Sequence, residues 1–490
     1  MGRFKRCDYA QGMFIPVFLE EQLMPGTLEY AIHNLVEKHI DLSIFDGKYS
    51  NDETGRLAYD PKVLLKVVLL GYSRGLMTSR KIEQACKDNI VFMALSCSQH
   101  PDHSTIASFV SSMGNEILPL FRNILMVCEE LGLLGGTFFA LDGCKLPGNA
   151  SKKWSGTHKS LKIKKKKIEE KVLDMIRQQQ DEDRKDVPVK DNLEMQAEKL
   201  NRQAERIGKW LKDNEPRTGS KGQDIKGNVT DKDSALMTTS HGSIQGYNSQ
   251  ALVDSKHQVI MHGEVFGTGQ DTKLVPPMID GAKANMGDDE YFKGKTLAAD
   301  SGYHSSTNIQ KCEDEELDAY IPDKQFRTRD PRFDEKRRVT RTHFSHKDFL
   351  YDHENDHYIC PNGQVLGLTV KRYVSANTVY RRYRAKDCSG CQLKAKCLYG
   401  NSDGPKYLTI PLGPSGINHT KMMVEKIDTE EGRKIYQQRM PIVEPVFANI
   451  RTTKRLDRFT LRGKIKANIQ WLLYCMVHNM EKIANYGFAY

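Results

Sequence analysis

The sequence predicts an α/β protein: a mixed sheet with helices packed on it, a helical segment before it and two insertions within it. Strand-like apolar runs at 137–142, 246–254, 258–267, 295–300 and 317–322 are joined, in the later part, by helix-like segments at 271–286, capped by Asp271-Thr272-Lys273, and at 305–315. Two of the runs stop on a carboxylate, Thr-Phe-Phe-Ala-Leu-Asp at Asp142 and Lys-Thr-Leu-Ala-Ala-Asp at Asp300, and a third acid, Glu444, lies far downstream. Strands that end on acids bring carboxylate oxygens to one edge of a sheet, and a helical glutamate can complete a site for a hard divalent cation. Taken singly, an Asp before Gly or Ser-Gly is also ordinary turn chemistry, and a helical Glu is also a solvated side chain.

With 490 residues, 39% of them hydrophobic, the chain has enough material for about two to four domains with proper cores. The 73 Lys and Arg against 63 Asp and Glu give a net charge of +10, which favours a polyanionic partner. Charge alone also suits a ribosome-associated or membrane-surface protein. No apolar run approaches the roughly 20 residues that span a bilayer, and the N-terminus lacks the apolar core of a signal peptide, so a cytoplasmic protein is expected. The 11 cysteines are odd in number and mostly scattered, which fits a reducing compartment better than a disulfide framework.

Residues 1–130 read as helical. Helices are expected at 28–38, at 61–76 behind Pro61, from the Thr78 cap to about Leu95, and beyond the Pro101-Asp102 start signal, with Arg122 nearby. Short helices with basic residues near their starts suit a helix-turn-helix DNA-binding module, and equally a small bundle that packs on its neighbour.

Residues 160–215 are highly charged. They open with Lys159, Lys162 and Lys164 to Lys167, break at Pro188, and resume with Leu193, Ala197, Leu200, Ala204, Ile207 and Leu211 at heptad spacing. A helical hairpin is expected here, either a solvated arm or a contact with a DNA backbone or a partner subunit.

With 137–142 as its first strand and 234–239 as a short extra one, the core has the order β-β-β-α-β-α-β. This is the order of an RNase H-like core, in which aspartates on the first strand and after the fourth lie side by side. Asp142 and Asp300 occupy those places.

The segments Ala-Tyr-Asp-Pro-Lys-Val-Leu-Leu-Lys near residue 60, Thr-Asp-Lys-Asp-Ser-Ala-Leu-Met at 230–237, Gly-Tyr-Asn-Ser-Gln-Ala-Leu-Val-Asp at 246–254 and Ala-Ala-Asp-Ser-Gly-Tyr at 298–303, with Tyr436, Arg439 and Glu444, carry a resemblance over nearly the whole chain. It resembles the DDE-type insertion-sequence transposases, in or near the branch with a Tyr-Arg-Glu-Lys signature. Four residues separate Arg439 from Glu444 where the usual signature has three, and Arg451 stands in the place of the lysine. The resemblance implies catalytic roles for Asp142, Asp300 and Glu444, with Tyr436, Arg439 and Arg451 at DNA phosphates. It also implies a homodimer that holds both transposon ends.

Three carboxylates holding Mg²⁺ or Mn²⁺ ions about 3.5–4 Å apart would activate a water or a DNA 3′-hydroxyl and stabilise the leaving oxygen of an in-line displacement, so one site can cut and join. Lys145 and Lys152, close behind Asp142, are read as contacts to double-stranded DNA or as solvated loop lysines, and His304 as a phosphate or water orienter or a plain cap. In the segment 326–430, Cys360 in a Cys-Pro-Asn-Gly turn precedes Cys388, Cys391 and Cys397. Four thiols there would make a structural Zn²⁺ site or remain reduced and free; related transposases carry similar cysteines. Lys371, Arg372, Arg381, Arg382 and Arg384 form a basic edge between them. The prolines at 441 and 445 are expected to kink or restart the Glu444 helix. The last segment reads as an amphipathic helix that buries Ile465, Ile469, Leu472, Leu473 and Met476 and leaves Arg455, Arg458 and Arg462 for phosphate.

The expected domains are 1–130, helical and DNA-binding; 131–325, the first part of the core with the insertion at 160–215; 326–430, the cysteine insertion; and 431–490, the rest of the core with the Glu444 helix. The function expected is a transposase that binds terminal inverted repeats, cleaves there and joins the ends to target DNA. A non-catalytic DNA-binding derivative and a nuclease that cuts without joining are the alternatives.

Overall fold

The computed structural model describes residues 17–49, 57–183, 192–219, 222–240, 242–332, 343–375, 378–398, 404–412 and 419–487. Six helices come first: α1 Leu28–Lys38, α2 Pro61–Ser73, α3 Ser79–Asp88, α4 Ile90–Leu95, α5 His103–Ser112 and α6 Ile117–Glu130. Their starts are fixed by side-chain oxygens on otherwise unpaired N–H groups, Asp60 before Pro61, Thr78 before α3 and Asp102 before α5. The single helix expected from Thr78 to Leu95 is two. Asn89 leaves the helical conformation and its Oδ1 accepts the N–H groups of Val91 and Phe92 at 3.0 and 3.4 Å, which restarts the chain as α4.

The core sheet is built from β1 Phe138–Pro147, β2 Ala235–Thr239, β3 Gly242–Asp254, β4 Ile260–Phe266, β5 Thr296–Ala299 and β6 Asp318–Tyr320. Between β1 and β2 the charged insertion folds as two helices, α7 His158–Asp183 and α8 Asn192–Asp213, packed through Leu161, Ile207 and Trp210. Ala197, Ala204 and Ile207 of the heptad seam are buried, and Pro188 lies outside the described residues. Helices α9 Val275–Met286 and α10 Ser306–Asp314 link β4 to β5 and β5 to β6.

The strand order is β2-β3-β1-β5-β6, with β4 also beside β3. Strand β3 is antiparallel to each of its neighbours β1, β2 and β4, while β5 pairs parallel with β1 and β6 parallel with β5. Along the chain, with β2 as the short extra strand, the elements follow the β-β-β-α-β-α-β order expected from the sequence, and the strands bearing Asp142 and leading to Asp300 are neighbours as expected. One expectation fails in detail: β1 does not stop at Asp142 but continues to Pro147, because β3 pairs with it as far as Gly246.

The insertion after β6 carries a second, five-stranded antiparallel sheet, β7 Leu350–Asp352, β8 His357–Ile359, β9 Val365–Ser375, β10 Thr378–Ala385 and β11 Tyr407–Pro411, over a small core of Phe349, Leu366, Tyr383, Ala385 and Leu408. Then come α11 His419–Ile427, α12 Glu430–Gln437, α13 Arg439–Ala448 and α14 Lys464–Lys482.

Helix α14 is not amphipathic as expected. Residues from Ala467 to Met480 are almost all buried, and Ile465, assigned to the core from the sequence, is 69% exposed. The reason is that α14 lies between the sheet and the N-terminal helices, so both of its sides are covered. Tyr474 stacks on Tyr72 of α2 at 4.8 Å, and one continuous apolar cluster runs from Ile32 to Ile483. Among the described residues no helix is long and apolar enough to cross a membrane.

Two asparagines of α14 satisfy the outer edge of β4. Asn479 accepts the N–H of Ile260 at 2.8 Å and donates to its carbonyl at 2.9 Å, and Asn468 accepts the N–H of Val265 at 3.0 Å. Removing the Asn479 amide strands two buried backbone groups. Asn479→Ala is expected to cost about 2–4 kcal/mol in denaturant unfolding; a loss below about 0.5 kcal/mol would show that the edge does not depend on it.

Candidate active site

The parallel pairing of β1 with β5 ends at Leu141 opposite Ala299, so Asp142 and Asp300 follow at the same level on neighbouring strands. Asp142 Oδ1 accepts the N–H of Gly143 at 2.8 Å, and Oδ2 accepts Nη1 of Arg439 at 2.8 Å. Burial pushes the Asp142 carboxyl up, the Asp300 charge adds to this, and Arg439 with the Gly143 amide opposes it. Asp300 Oδ1 accepts the N–H of Gly302 at 2.7 Å, which closes the turn Ser301–Tyr303.

Glu444 projects from α13 into an open cleft of about 500 Å³ that Asp142, Phe447, Arg451 and Asp457 also line. The expected restart occurs ahead of the first proline, α12 ending at Gln437 and α13 beginning at Arg439, whereas the second, Pro445, lies inside α13 without breaking it. Pro441 sits in the first turn, where N–H groups have no helical partner in any case. Pro445 cannot donate to the carbonyl of Pro441, and Gln258 Nε2 fills that place at 2.9 Å. A π-helical turn, Asn449–Thr453, follows and brings Arg451 to the cleft.

Arg439 is buried, with 8% of its surface exposed, and its Nε has no hydrogen-bond partner. Its guanidinium lies 6.0 Å from the ring centre of Tyr436, which is held edge-on by Phe326 at 5.3 Å. Tyr436, Arg439, Asp142 and Asp300 therefore form one contact group, with Glu444 and Arg451 on the wall of the adjoining cleft.

The other candidates lie apart from it or are otherwise engaged. Lys145 Nζ donates to Thr238 O at 3.3 Å, Lys152 is exposed in a short turn, and His304 Nδ1 meets Ile321 O at 2.8 Å. Of the arginines expected to stay free for phosphate, Arg458 and Arg462 bond the carbonyls of Gly148 and Asn149, and Arg455 packs beside Gly75. Arg381, placed on the basic edge from the sequence, faces Asp356 at 3.6 Å.

Cys360, Cys388, Cys391 and Cys397 line one small cavity of about 30 Å³ in the insertion. The N–H groups of Asn362 and Gln364 point at Cys360 Sγ at 3.4 and 3.3 Å, and that of Lys406 at Cys388 Sγ at 3.4 Å. Among the described residues no three His, Cys, Asp or Glu side chains are arranged to hold a metal ion as they stand. This applies to the thiols and to the acids alike. The acids nevertheless have the right chemistry: hard oxygen donors, two of them adjacent and partly deprived of water.

One acid was misread from the sequence. Asp271, expected to cap α9, does not; that helix starts at Val275 without a side-chain cap. Asp271 Oδ1 instead accepts the amides of Asn248 at 2.7 Å and Gln250 at 3.2 Å, beside Asp300. The usable signal was the pair of polar residues, two apart, on a strand otherwise read as core.

The position of Glu444 depends on the carbonyl that Gln258 covers. Gln258→Ala should lower stability by about 1 kcal/mol and loosen α13 at Pro441, seen as faster amide exchange over 442–448. Unchanged exchange there would mean that packing alone holds the helix.

Residues 359–484 match the family model described as transposase DDE domain, and residues 17–112 match one described as transposase domain DUF772. Comparison with curated proteins gave no match. Among solved structures, a piggyBac transposase synaptic complex with hairpin DNA is similar at 11% identity and a TM-score of 0.32, over 94% of this chain and 74% of that one, a likeness too loose to carry an argument.

Proposed function

We propose that this chain, a DDE-type transposase by the two family models it matches, binds the inverted repeats at its element's ends, cleaves there and joins the ends to target DNA. The observation that carries this reading is the adjacency of Asp142 and Asp300 on parallel strands, with Arg439 on the first and Glu444 across the cleft. On this reading the sheet is an RNase H-like core, and Asp142, Asp300 and Glu444 hold Mg²⁺ or Mn²⁺. The ions supply a Lewis acid that sharpens the attacking water or 3′-hydroxyl and neutralises charge on the leaving 3′-oxygen.

The side chains of the protein do the rest. Arg439, short of one hydrogen-bond partner, offers its free Nε and its charge to a scissile phosphate, and the Tyr436 ring lies beside its guanidinium. Arg451 on the π turn contacts the backbone further along the cleft. Among the described residues the three acids do not stand as one metal-binding group, so on this reading Glu444, which lines the same cleft as Asp142, would complete the site only with DNA and metal bound. A homodimer would hold the two ends together, each active site engaging one.

The test is cleavage and strand transfer of labelled double-stranded DNA carrying the element's ends. Asp142→Asn, Asp300→Asn and Glu444→Gln should each lower cleavage about a hundredfold or more while leaving end binding intact. Substituted chains that still cut would sink the triad; a wild type that cuts but never joins would make the protein a nuclease.

We also propose that the four insertion thiols close on a structural Zn²⁺. Backbone N–H groups directed at sulfur are the donors that zinc-bound sulfur would accept, and here they meet two of the four thiols lining one cavity. Purified protein should then contain close to one zinc per chain by atomic emission, lost in Cys391→Ser together with the folded insertion. Zinc-free wild type with an intact insertion sheet would leave these as plain reduced cysteines.

A further inference from the structure

Asp271 stands in the loop between β4 and α9, yet its side chain belongs to the sheet. The two amides that hold it, Asn248 and Gln250, are 1% and 0% exposed and both address the same oxygen, Oδ1. Oδ2 faces the turn that carries Asp300: a Cβ at Gly302 would lie 2.9 Å from Asp271 Oδ2 and 2.9 Å from Asp300 Oδ1. Two carboxylate oxygens thus share the space over one glycine.

The clamp is itself locked. Tyr303, fully buried in the same turn as Asp300, bonds Gln250 Oε1 through its hydroxyl, and Trp471 Nε1 donates to the Gln250 carbonyl at 3.0 Å. Gly143, next to Asp142, is required to be small, since a Cβ there would come within 2.0 Å of Gln250 Nε2. The direction of approach matters too. Gln250 and Asn248 are register partners of Gly143 and Lys145, on the sheet face that α9 covers through Gly281 and His262. Asp142 pairs with Ala251 on the opposite face, which α14 covers through Trp471 and Cys475. Asp300 is therefore flanked by acids from both faces.

Neutral amides position Asp271 but do not offset its charge, and Lys145 Nζ, the cation acting on it, is bonded to Thr238 O. Elsewhere in this fold a partly buried acid takes lysines directly, as Glu315 does from Lys283 and Lys311 at 2.7 Å each. On the other face of the pair, Arg439, nine-tenths buried and aimed at Asp142, keeps its Nε without a partner, a donor left for an anionic ligand such as a phosphate beside the same two acids.

We propose that Asp271 is a fourth carboxylate of the metal site, sharing a divalent cation with Asp300 from the face opposite Glu444, with Asn248 and Gln250 as its positioning residues. This rests on the reading of Asp142 and Asp300 as metal carboxylates. It makes the site asymmetric, with one acid supplied by α13 and one by a clamp on the opposite face.

Asp271→Asn preserves the Oδ1 acceptor and removes the charge, so it separates the two roles that the residue can have. On the full chain without DNA, Mn²⁺ affinity by calorimetry should fall about tenfold or more, with the melting temperature of the metal-free protein held. The Mn²⁺ concentration for half-maximal cleavage should rise in step. Asn248→Ala, which loosens the clamp but keeps the charge, should give a smaller fall in affinity. If Asp271→Asn binds Mn²⁺ and cuts as the wild type does while Asp142→Asn loses both, the inference is wrong and the triad reading stands. If Asp142→Asn also binds and cuts normally, the triad reading itself fails. Should Asp271→Asn not fold, the Asn248→Ala titration decides, unchanged Mn²⁺ affinity counting against the proposal.

Discussion

Two carboxylates held side by side on neighbouring parallel strands, short of water, repel each other, and much of this structure can be understood as what holds that repulsion in place. The β1/β5 register sets the pair, since the strands are linked by backbone hydrogen bonds that a local shift of the side chains cannot release. Burial and the neighbouring charge both raise Asp142, so the bare arrangement costs free energy at neutral pH. Arg439 offsets part of this, and its own burial is tolerable only because Asp142 is there. Neither charge is stable in its place without the other, which couples α13 to the sheet before any ligand arrives.

The fixed frame behind that pair is α14. Its asparagines cap the sheet edge, its Trp471 stacks on Phe447 of α13 at 6.1 Å, and its His478 reaches the carbonyl of Gln258, whose side chain in turn completes α13. A chain of bonds thus runs from the sheet edge through α14 and Gln258 to the helix of Glu444. His478 is wholly buried and held neutral, with its pKa pushed down to about 3, so this link does not change with pH in the physiological range.

What the sequence disclosed follows period and punctuation. The order of strands and helices along the chain, Asp142 and Asp300 at one level, and the start of α2 at Pro61 could all be read, because apolar runs, caps and prolines act locally. The errors came where a distant partner overrode the local signal. Strand β1 runs past Asp142 because β3 offers it a ladder, α13 passes through Pro445 because Gln258 replaces the lost bond, and Ile465 is exposed because α14 enters the core only one turn later. Asp271 was read as a cap because Asp before Thr-Lys is a helix start in isolation. Only the folded sheet shows two buried amides already aimed at it.

Charge distribution gives the arrangement its direction. The net charge of +10 does not come from the cleft, whose acids are concentrated at one sheet edge. It comes from outer segments such as the first turns of α7, where Lys159, Lys162 and Lys164 to Lys167 follow one another without an acid. A polyanion is therefore drawn to the periphery first, by a field that reaches about a Debye length of 8–10 Å and weakens with salt. The acidic edge would repel that same polyanion unless cations were bound there. On the proposed reading such a surface would separate capture from chemistry: the lysines would hold a polyanion whether or not metal is present, while its entry to the Asp142–Asp300 edge would depend on the metal charge that those acids collect.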